Sequence, residues 1–385
     1  MNLIELFNRF KEQTISGRYI NLDHITPLIE RLKQKSDVQI IGQSVLGEPI
    51  YSYQKGTGEI RILFWSQMHG NESTTTKALF DLFNLLESET DLANNLLSQF
   101  TFYFIPMLNP DGARLYTREN ANKVDLNRDS LNLTQPESRL LRSVYEQFKP
   151  DYCYNLHDQR TIFGVGTTGK TATVSFLSPS YNENRDINEV RKKAMAIIAD
   201  MNSGLQEFIP GQIGRFDDGF NINCIGDMFQ SLGAPTILFE AGHFPNDYQR
   251  EETRKYIFIS LLLSFESIRN GGADDKKTDE YMRIPQNNPN FYDFVCKNVN
   301  LNYDNSKKSI NFATQYREEL NNNQIDFVAY IARIDDLEDC FGHIEIDGEF
   351  ELYNDGNQNY PEVGQKANFN IGNRIKAVNG KIELI

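Results

Sequence analysis

The sequence predicts an α/β domain with a mixed, largely parallel sheet and helices on both faces, followed by a small β-rich C-terminal region. Two observations carry this expectation. Between residues 38 and 270, short apolar runs alternate with longer segments of helical period, the pattern of strands joined by crossover helices. After Asn270 the chain changes to a glycine-and-charge stretch, Asn270 to Lys277, and then to short runs divided by turn residues. The length of 385 residues suits one to three domains, and the change of character sets them at residues 1–272 and 280–385.

The elements follow in order. Leu3, Ile4, Phe7 and Phe10 sit at helical spacing in an amphipathic N-terminal stretch. Strands are expected near residues 38–43, 49–54, 60–66, 101–107, 151–157, 173–178 and 234–240. Helices are expected near 73–88, 137–148, 187–206, 224–232 and 246–268. Ile62-Leu63-Phe64-Trp65 is an unbroken apolar run, as a strand buried on both faces requires. Ala78, Leu79, Leu82, Leu85 and Leu86 then share one helical face. Asn109-Pro110-Asp111-Gly112 reads as a turn: Pro presets φ, Gly accepts positive φ, and Asn and Asp bond their own backbone. Beyond residue 285 the expected short strands lie at Phe291 to Val295, Ser309 to Phe312, Phe327 to Ile331, His343 to Ile346, Phe350 to Tyr353, Ile375 to Val378 and Lys381 to Leu384.

Composition limits the function classes. A formal net charge of −14 argues against nucleic-acid or anionic-membrane partners, which favour basic patches. No run of 18 apolar residues is present to span a bilayer. The N-terminal stretch lacks the basic start and long apolar core of a signal peptide. Cys153, Cys224, Cys296 and Cys340 are scattered, with no CxxC pair, which suits reduced thiols. A cytoplasmic enzyme is the expectation.

The chemistry concentrates at His69-Gly70-Asn71-Glu72, between an expected strand and an expected helix. An imidazole and a carboxylate three residues apart at such a turn can face one cation. Two His and one Glu are a common catalytic zinc set. Of the five histidines, His24 lies in a polar N-terminal region and His343 in the C-terminal region. His157 and His243 both end apolar runs. His157 is favoured as the third ligand, because the run before His243 already places Glu240 at its end.

Five motifs occur in a fixed order: His69-Gly-Asn-Glu72, Asn109-Pro-Asp-Gly112, Asp125-Leu-Asn-Arg128, the strand-end His157 and Phe239-Glu240. In this the chain resembles the zinc carboxypeptidase family, the M14 metallopeptidases, as a bacterial-type member, over roughly residues 40 to 270. The resemblance implies one zinc per chain, held by His69, Glu72 and His157. It makes Glu240 the catalytic glutamate and Arg118 the arginine that polarises the scissile carbonyl. Asn127 and Arg128 match the pair that grips a terminal carboxylate, and Asp125 matches the carboxylate that orients the first His. It implies a metallocarboxypeptidase that hydrolyses the C-terminal amide bond of peptides through a zinc-activated water. A zinc-dependent acyl-amino-acid deacylase or murein peptide amidase of the same fold is the alternative the resemblance leaves open. A metal- or peptide-binding relative without activity is the alternative of another class.

The residue types suit that chemistry in their own right. A carboxylate ending an apolar strand is partly desolvated, which raises its pKa and suits a base. A guanidinium can steady a developing oxyanion, and its planar fork matches a carboxylate. A ligating His needs an acceptor on its other nitrogen, a task for Asp125. Two positions depart from the digestive members of the family. Asn71 stands where they carry an arginine. The segment Gly214 to Asn221 holds Phe216 and Phe220 but no tyrosine to cover a substrate.

Gly164 to Thr171 fits the phosphate-loop pattern GxxxxGK[ST] in full. Such a loop works only when it leads into a helix. Here the next run, Ala172 to Leu177, is β-branched and aromatic and meets Pro179, so a flexible Gly/Thr-rich loop near the metal is expected instead.

Overall fold

The computed structural model describes residues 2–271, 275–303 and 306–384. Contacts divide the chain into two units, Met1–Gln159 with Ala172–Asn287, and Arg160–Thr171 with Asn288–Ile385.

The first unit opens with α1 (Leu3–Phe10), whose N-cap Asn2 accepts from the Ile4 and Glu5 N–H groups. Its Leu6, Phe7 and Phe10 are buried, the face the spacing predicts. In α2 (Leu22–Lys33) His24 completes a capping box with Asn21, which gives that histidine a structural task. There follow β1 (Asp37–Gln43), β2 (Pro49–Lys55), β3 (Ile60–Ser66), α3 (Thr74–Leu86), α4 (Asp91–Gln99), β4 (Phe100–Ile105), α5 (Pro110–Leu115), α6 (Pro136–Phe148) and β5 (Tyr152–Asp158). The segment that carries β6 (Gly164–Val165) belongs to the second unit. The first unit resumes with β7 (Val174–Leu177), α7 (Glu189–Leu205), β8 (Ile213–Arg215), α8 (Ile225–Ser231), β9 (Thr236–Ala241), α9 (Glu251–Asn270) and α10 (Asp275–Met282).

Eight strands form one sheet in the order β1-β2-β4-β3-β5-β9-β7-β8. Its centre, β4-β3-β5-β9, is parallel throughout, while β1, β2 and β7 join antiparallel pairs. Alternation sends Ile62, Phe64, Tyr154, Leu156, Ile237 and Phe239 to one face, packed with residues of α1, α3, α7 and α9. Leu63, Trp65 and Cys153 go to the other face, with residues of α6 and α8. Covering both faces explains why the central strands read as unbroken apolar runs.

Two expectations are corrected here. Asn109-Pro110-Asp111-Gly112 is more than a turn, because it starts α5: Asn109 is the N-cap and accepts from Gly112 N–H, with Pro110 in the first helical turn. The helix expected near 246–268 begins only at Glu251, because Asn246 and Arg250 adopt left-handed φ values of 64° and 62°. Of the expected linker, residues 272–274 lie outside the described residues, and α10 begins at Asp275.

α3 is buried on almost every side, so its polar residues have partners. Lys77 Nζ donates to Glu251 Oε1 at 2.6 Å. The Arg254 guanidinium grips Asp81 through two bonds, 2.7 and 2.5 Å, and donates to the carbonyls of Glu12 and Ile15. This group fastens the stretch after α1 to α3 and α9.

In the second unit, β10 (Asn287–Asn288) spans the division. β11 (Phe291–Tyr303), β12 (Ser306–Asn321), β13 (Gln324–Asp335) and β14 (Phe341–Asp347) form a sheet in the order β13-β12-β11-β14. β15 (Tyr353–Asn354), β16 (Phe369–Ile371), β17 (Ile375–Val378) and β18 (Lys381–Leu384) form another. Phe312, Tyr353, Phe369 and Ile371 belong to a core of their own. At the β12–β13 hairpin, Asn322 and Asn323 have φ of 49° and 61°, the left-handed pair that a two-residue hairpin turn requires. β11, β12 and β13 run far past the short apolar stretches expected, whereas β17 and β18 match theirs residue for residue. Phe350, at φ 60°, lies outside any strand.

Candidate active site

The site is built at the carboxyl ends of β3, β5 and β9, where ligands collect in parallel sheets. Past β3 the chain turns at Gln67, which is fully buried and left-handed at φ 51°. Its carboxamide donates to Ile20 O and Gly70 O at 2.7 and 2.8 Å and accepts from Thr76 Oγ1 at 3.0 Å. The turn then presses on α5. A Cβ at Gly70 would fall 2.0 Å from the Gly112 carbonyl carbon, and one at Gly112 2.6 Å from Glu119 O. Glycine at both places permits that approach.

Three side chains converge beyond this turn. His69 Nδ1 lies 2.8 Å from Glu72 Oε1, His157 Nδ1 lies 2.7 Å from Glu72 Oε2, and the two Nδ1 atoms are 3.1 Å apart. Among the described residues this is the group able to hold a metal ion. The donor set fits a cation. His69 Nε2 faces Asp125 Oδ1 at 2.9 Å, so that nitrogen carries the proton and Nδ1 presents a lone pair. Lone pairs and a carboxylate packed this closely repel unless a positive charge sits among them. Burial alone would raise the Glu72 pKa; when no metal is bound, protons on the two imidazoles supply the positive charge instead and hold it well below the ordinary range. The Asp158 backbone N–H also donates to Glu72 Oε2 at 3.1 Å.

His157 and Glu240 are register partners on neighbouring parallel strands. They lie on the sheet face opposite Leu156 and Phe239, the side of α6 and α8. Burial pushes the Glu240 carboxyl well above its ordinary pKa, and the Glu72 and Asp158 carboxylates push the same way. A carboxyl with a raised pKa is thus placed beside the cluster of His69, Glu72 and His157.

Asp125 joins several groups. Its Oδ1 also accepts from Asn127 N–H at 2.9 Å, and its Oδ2 accepts from Arg118 Nε at 3.0 Å. Arg118 Nη1 lies 3.3 Å from Glu72 Oε1, which sets this guanidinium at the rim of the cluster with its side chain 46% exposed. Asn127 Oδ1 accepts from Ile225 N–H at 3.1 Å, anchoring the start of α8. Arg128 is exposed and donates to Asn127 O at 2.8 Å.

His243 stands outside the cluster, buried, with its carbonyl accepting from Thr173 Oγ1. The Gly164 to Thr171 segment closes as a tight turn, with Gly164 bridged to Thr171 and Val165 N–H bonded to Lys170 O. It leads into no helix, as its sequence context predicts. Two supporting residues escaped the reading of the sequence. One is Gln67. The other is Asp158, whose Oδ2 accepts from Thr74 N–H and Oγ1 at 3.0 and 2.6 Å. Its position directly after a strand-end histidine was the available signal.

Comparison with known proteins agrees with this picture. The family described as zinc carboxypeptidase matches residues 23–152. Carboxypeptidase SOL1 of Arabidopsis thaliana is 31% identical over 147 residues, which cover 33% of this chain and 30% of the relative. Carboxypeptidase 2 of Trichophyton rubrum is 27% identical over 100 residues, 26% of this chain and 19% of the relative. The chain thus matches less than a third of the length of either relative. A metallo-carboxypeptidase structure from Burkholderia cenocepacia superposes with a TM-score of 0.51 at 17% identity, covering 64% of this chain and 68% of that one. The resemblance to zinc carboxypeptidases is borne out, as is the mixed α/β fold with its β-rich C-terminal part.

Proposed function

We propose, from the zinc carboxypeptidase match and the buried cluster of His69, Glu72 and His157, that the protein is a zinc-dependent metallocarboxypeptidase. The substrate is a peptide with a free C-terminal carboxylate. The observation that carries the reading is the register pairing of His157 with Glu240, which sets a desolvated carboxylate beside a three-donor metal site.

Zinc held there would act as a Lewis acid and lower the pKa of a nearby water towards 7. Glu240, with its raised pKa, takes the proton of the attacking water and returns it to the leaving amine. Arg118, at the rim, offers its guanidinium to the oxygen on which charge develops. Arg128 offers a planar fork to the terminal carboxylate. Asn127, whose oxygen is engaged by Ile225, offers its amide NH2 group to the same carboxylate. Asp125 keeps the proton of His69 on Nε2 and steadies Arg118.

No helix among the described residues is long and apolar enough to cross a membrane. The cysteines and charge support a cytoplasmic setting.

The test is peptide hydrolysis followed by mass spectrometry on a mixed library, with chelated protein and with zinc restored. Release of single C-terminal residues, dependent on zinc, is expected. Glu240→Gln should keep the zinc and lose roughly 10²–10⁴-fold in turnover. Near-normal turnover in that variant would remove Glu240 from the reaction. Release of acyl groups with no peptide cleavage would favour an acyl-amino-acid deacylase.

A further inference from the structure

Arg250 is 1% exposed and sits at the N-cap of α9 in a left-handed conformation, φ 62°. A non-glycine residue is held there only when its surroundings over-determine it. What the guanidinium does is specific. Nη1 donates to Ala241 O and Nη2 donates to Gln159 O, each at 2.9 Å. Ala241 follows Glu240 directly on β9, and Gln159 lies two residues past His157 at the end of β5. Here the β5–β9 ladder ends, with Gln159 N–H donating to Ala241 O at 2.9 Å. One planar fork therefore bridges the last carbonyl of β9 and the carbonyl just past the end of β5. The charge of Arg250 also acts on the Glu240 and Asp158 carboxylates.

We propose that Arg250 is a positioning residue for the hydrolytic reaction: by bridging Gln159 O and Ala241 O it fixes the spacing between His157 on β5 and Glu240 on β9. The inference rests on the metallocarboxypeptidase reading for its kinetics, but the clamp can be measured without them. Two parallel N–H donors at a fixed separation hold two carbonyls in one geometry. A lysine ammonium is a point charge on a flexible stem and lacks that fork. Charge alone therefore cannot replace Arg250. An error of about 1 Å between reacting groups can cost on the order of 10²-fold in rate, even when its cause lies away from the chemistry.

The experiment uses Arg250→Lys and Arg250→Gln in the full chain, loaded with zinc. Both variants should keep one zinc per chain. Both should lose about 10- to 100-fold in kcat, with KM changed by less than about twofold, because Arg250 is buried and its guanidinium is spent on backbone carbonyls. Amide hydrogen exchange at Gln159 should rise in both, and lysine should restore little. A kcat within about twofold of wild type in either variant overturns the proposal. So does a loss of kcat matched by equal loss of bound zinc, or failure of both variants to fold, since each makes Arg250 a structural residue only. Should the wild-type protein cleave no peptide, the functional reading fails by itself. In that case unchanged exchange at Gln159 would separately overturn the clamp.

Discussion

Replacing Asp125 with asparagine isolates one carboxylate that serves several groups. Asp125 meets His69 Nε2 at 2.9 Å, Asn127 N–H at 2.9 Å and Arg118 Nε at 3.0 Å. An asparagine can still accept from His69 and Asn127 through its oxygen. Its NH2 group, however, then faces the Arg118 N–H groups, donor against donor. The bond to His69 also loses its charge, and with it part of what makes Nδ1 a strong donor to a metal. Loss of such an outer partner typically costs 10- to 100-fold in metal affinity or activity. At about 1.36 kcal/mol per tenfold, that is roughly 1.4–2.7 kcal/mol. The Arg118 side chain is 46% exposed, so water compensates much of its lost pairing and adds little to the figure. Competition with a coloured chelator would measure zinc affinity, with Asn127→Ala as the comparison expected to leave it unchanged. If Asp125→Asn binds zinc as tightly as wild type, Asp125 does not tune His69.

Three further outcomes are expected. Arg128→Ala should lower kcat/KM on free-carboxylate peptides by roughly 10- to 150-fold, the equivalent of about 1.5–3 kcal/mol for one charge-assisted bond; if the wild type cleaves amidated and free peptides equally well, Arg128 is no carboxylate anchor. Zinc at 100 times its Kd should stabilise the fold by about 2.7 kcal/mol, seen as a rise in Tm that His157→Ala abolishes; an equal rise in that variant would place the metal elsewhere. Burial works against ionisation of Glu251, but Lys77 and Arg254 hold its pKa down at about 2, against 4.5 in a model peptide. A lowered folded pKa means the unfolded chain takes up the proton first, so the stabilisation is complete above about 4.5 and disappears as pH falls towards 2. Melting scans from pH 6 to 2.5 should show that decline, and Glu251→Gln should flatten it; an identical slope in the variant would assign the acid sensitivity to other groups.

What could be read in advance depended on where the information lies along the chain. His69 and Glu72 share one turn, and Asp125, Asn127 and Arg128 share another, so short motifs reported them. The central strands announced themselves because both sheet faces are covered. Gln67, Asp158 and Arg250 have no such local signature: each matters because of carbonyls or amides that distant segments bring to it. The helices α2 and α4 also passed unread, as did the full length of β11 to β13. β12 carries Gln315 to Glu319, whose alternation is weak, and its length comes from pairing with β13 along eleven registered positions, from Asn311↔Asp335 to Asn321↔Gln324, with a bulge between Ala313 and Thr314. Cross-strand bonding of that kind is invisible to hydropathy.

The contact between Gly70 and Gly112 means that the His69-to-Glu72 turn and the start of α5 are one mechanical part, although some forty residues of chain separate them. Neither can shift without the other, since their backbones already touch. A side chain added at either glycine would act as a wedge, transmitted to His69 and Glu72 on one side and to Glu119, beside Arg118, on the other. Grafting the His69-to-Glu72 turn into another scaffold would therefore fail unless the Asn109-to-Gly112 helix start travelled with it. A change in either motif is, in effect, a change in the fit between the two.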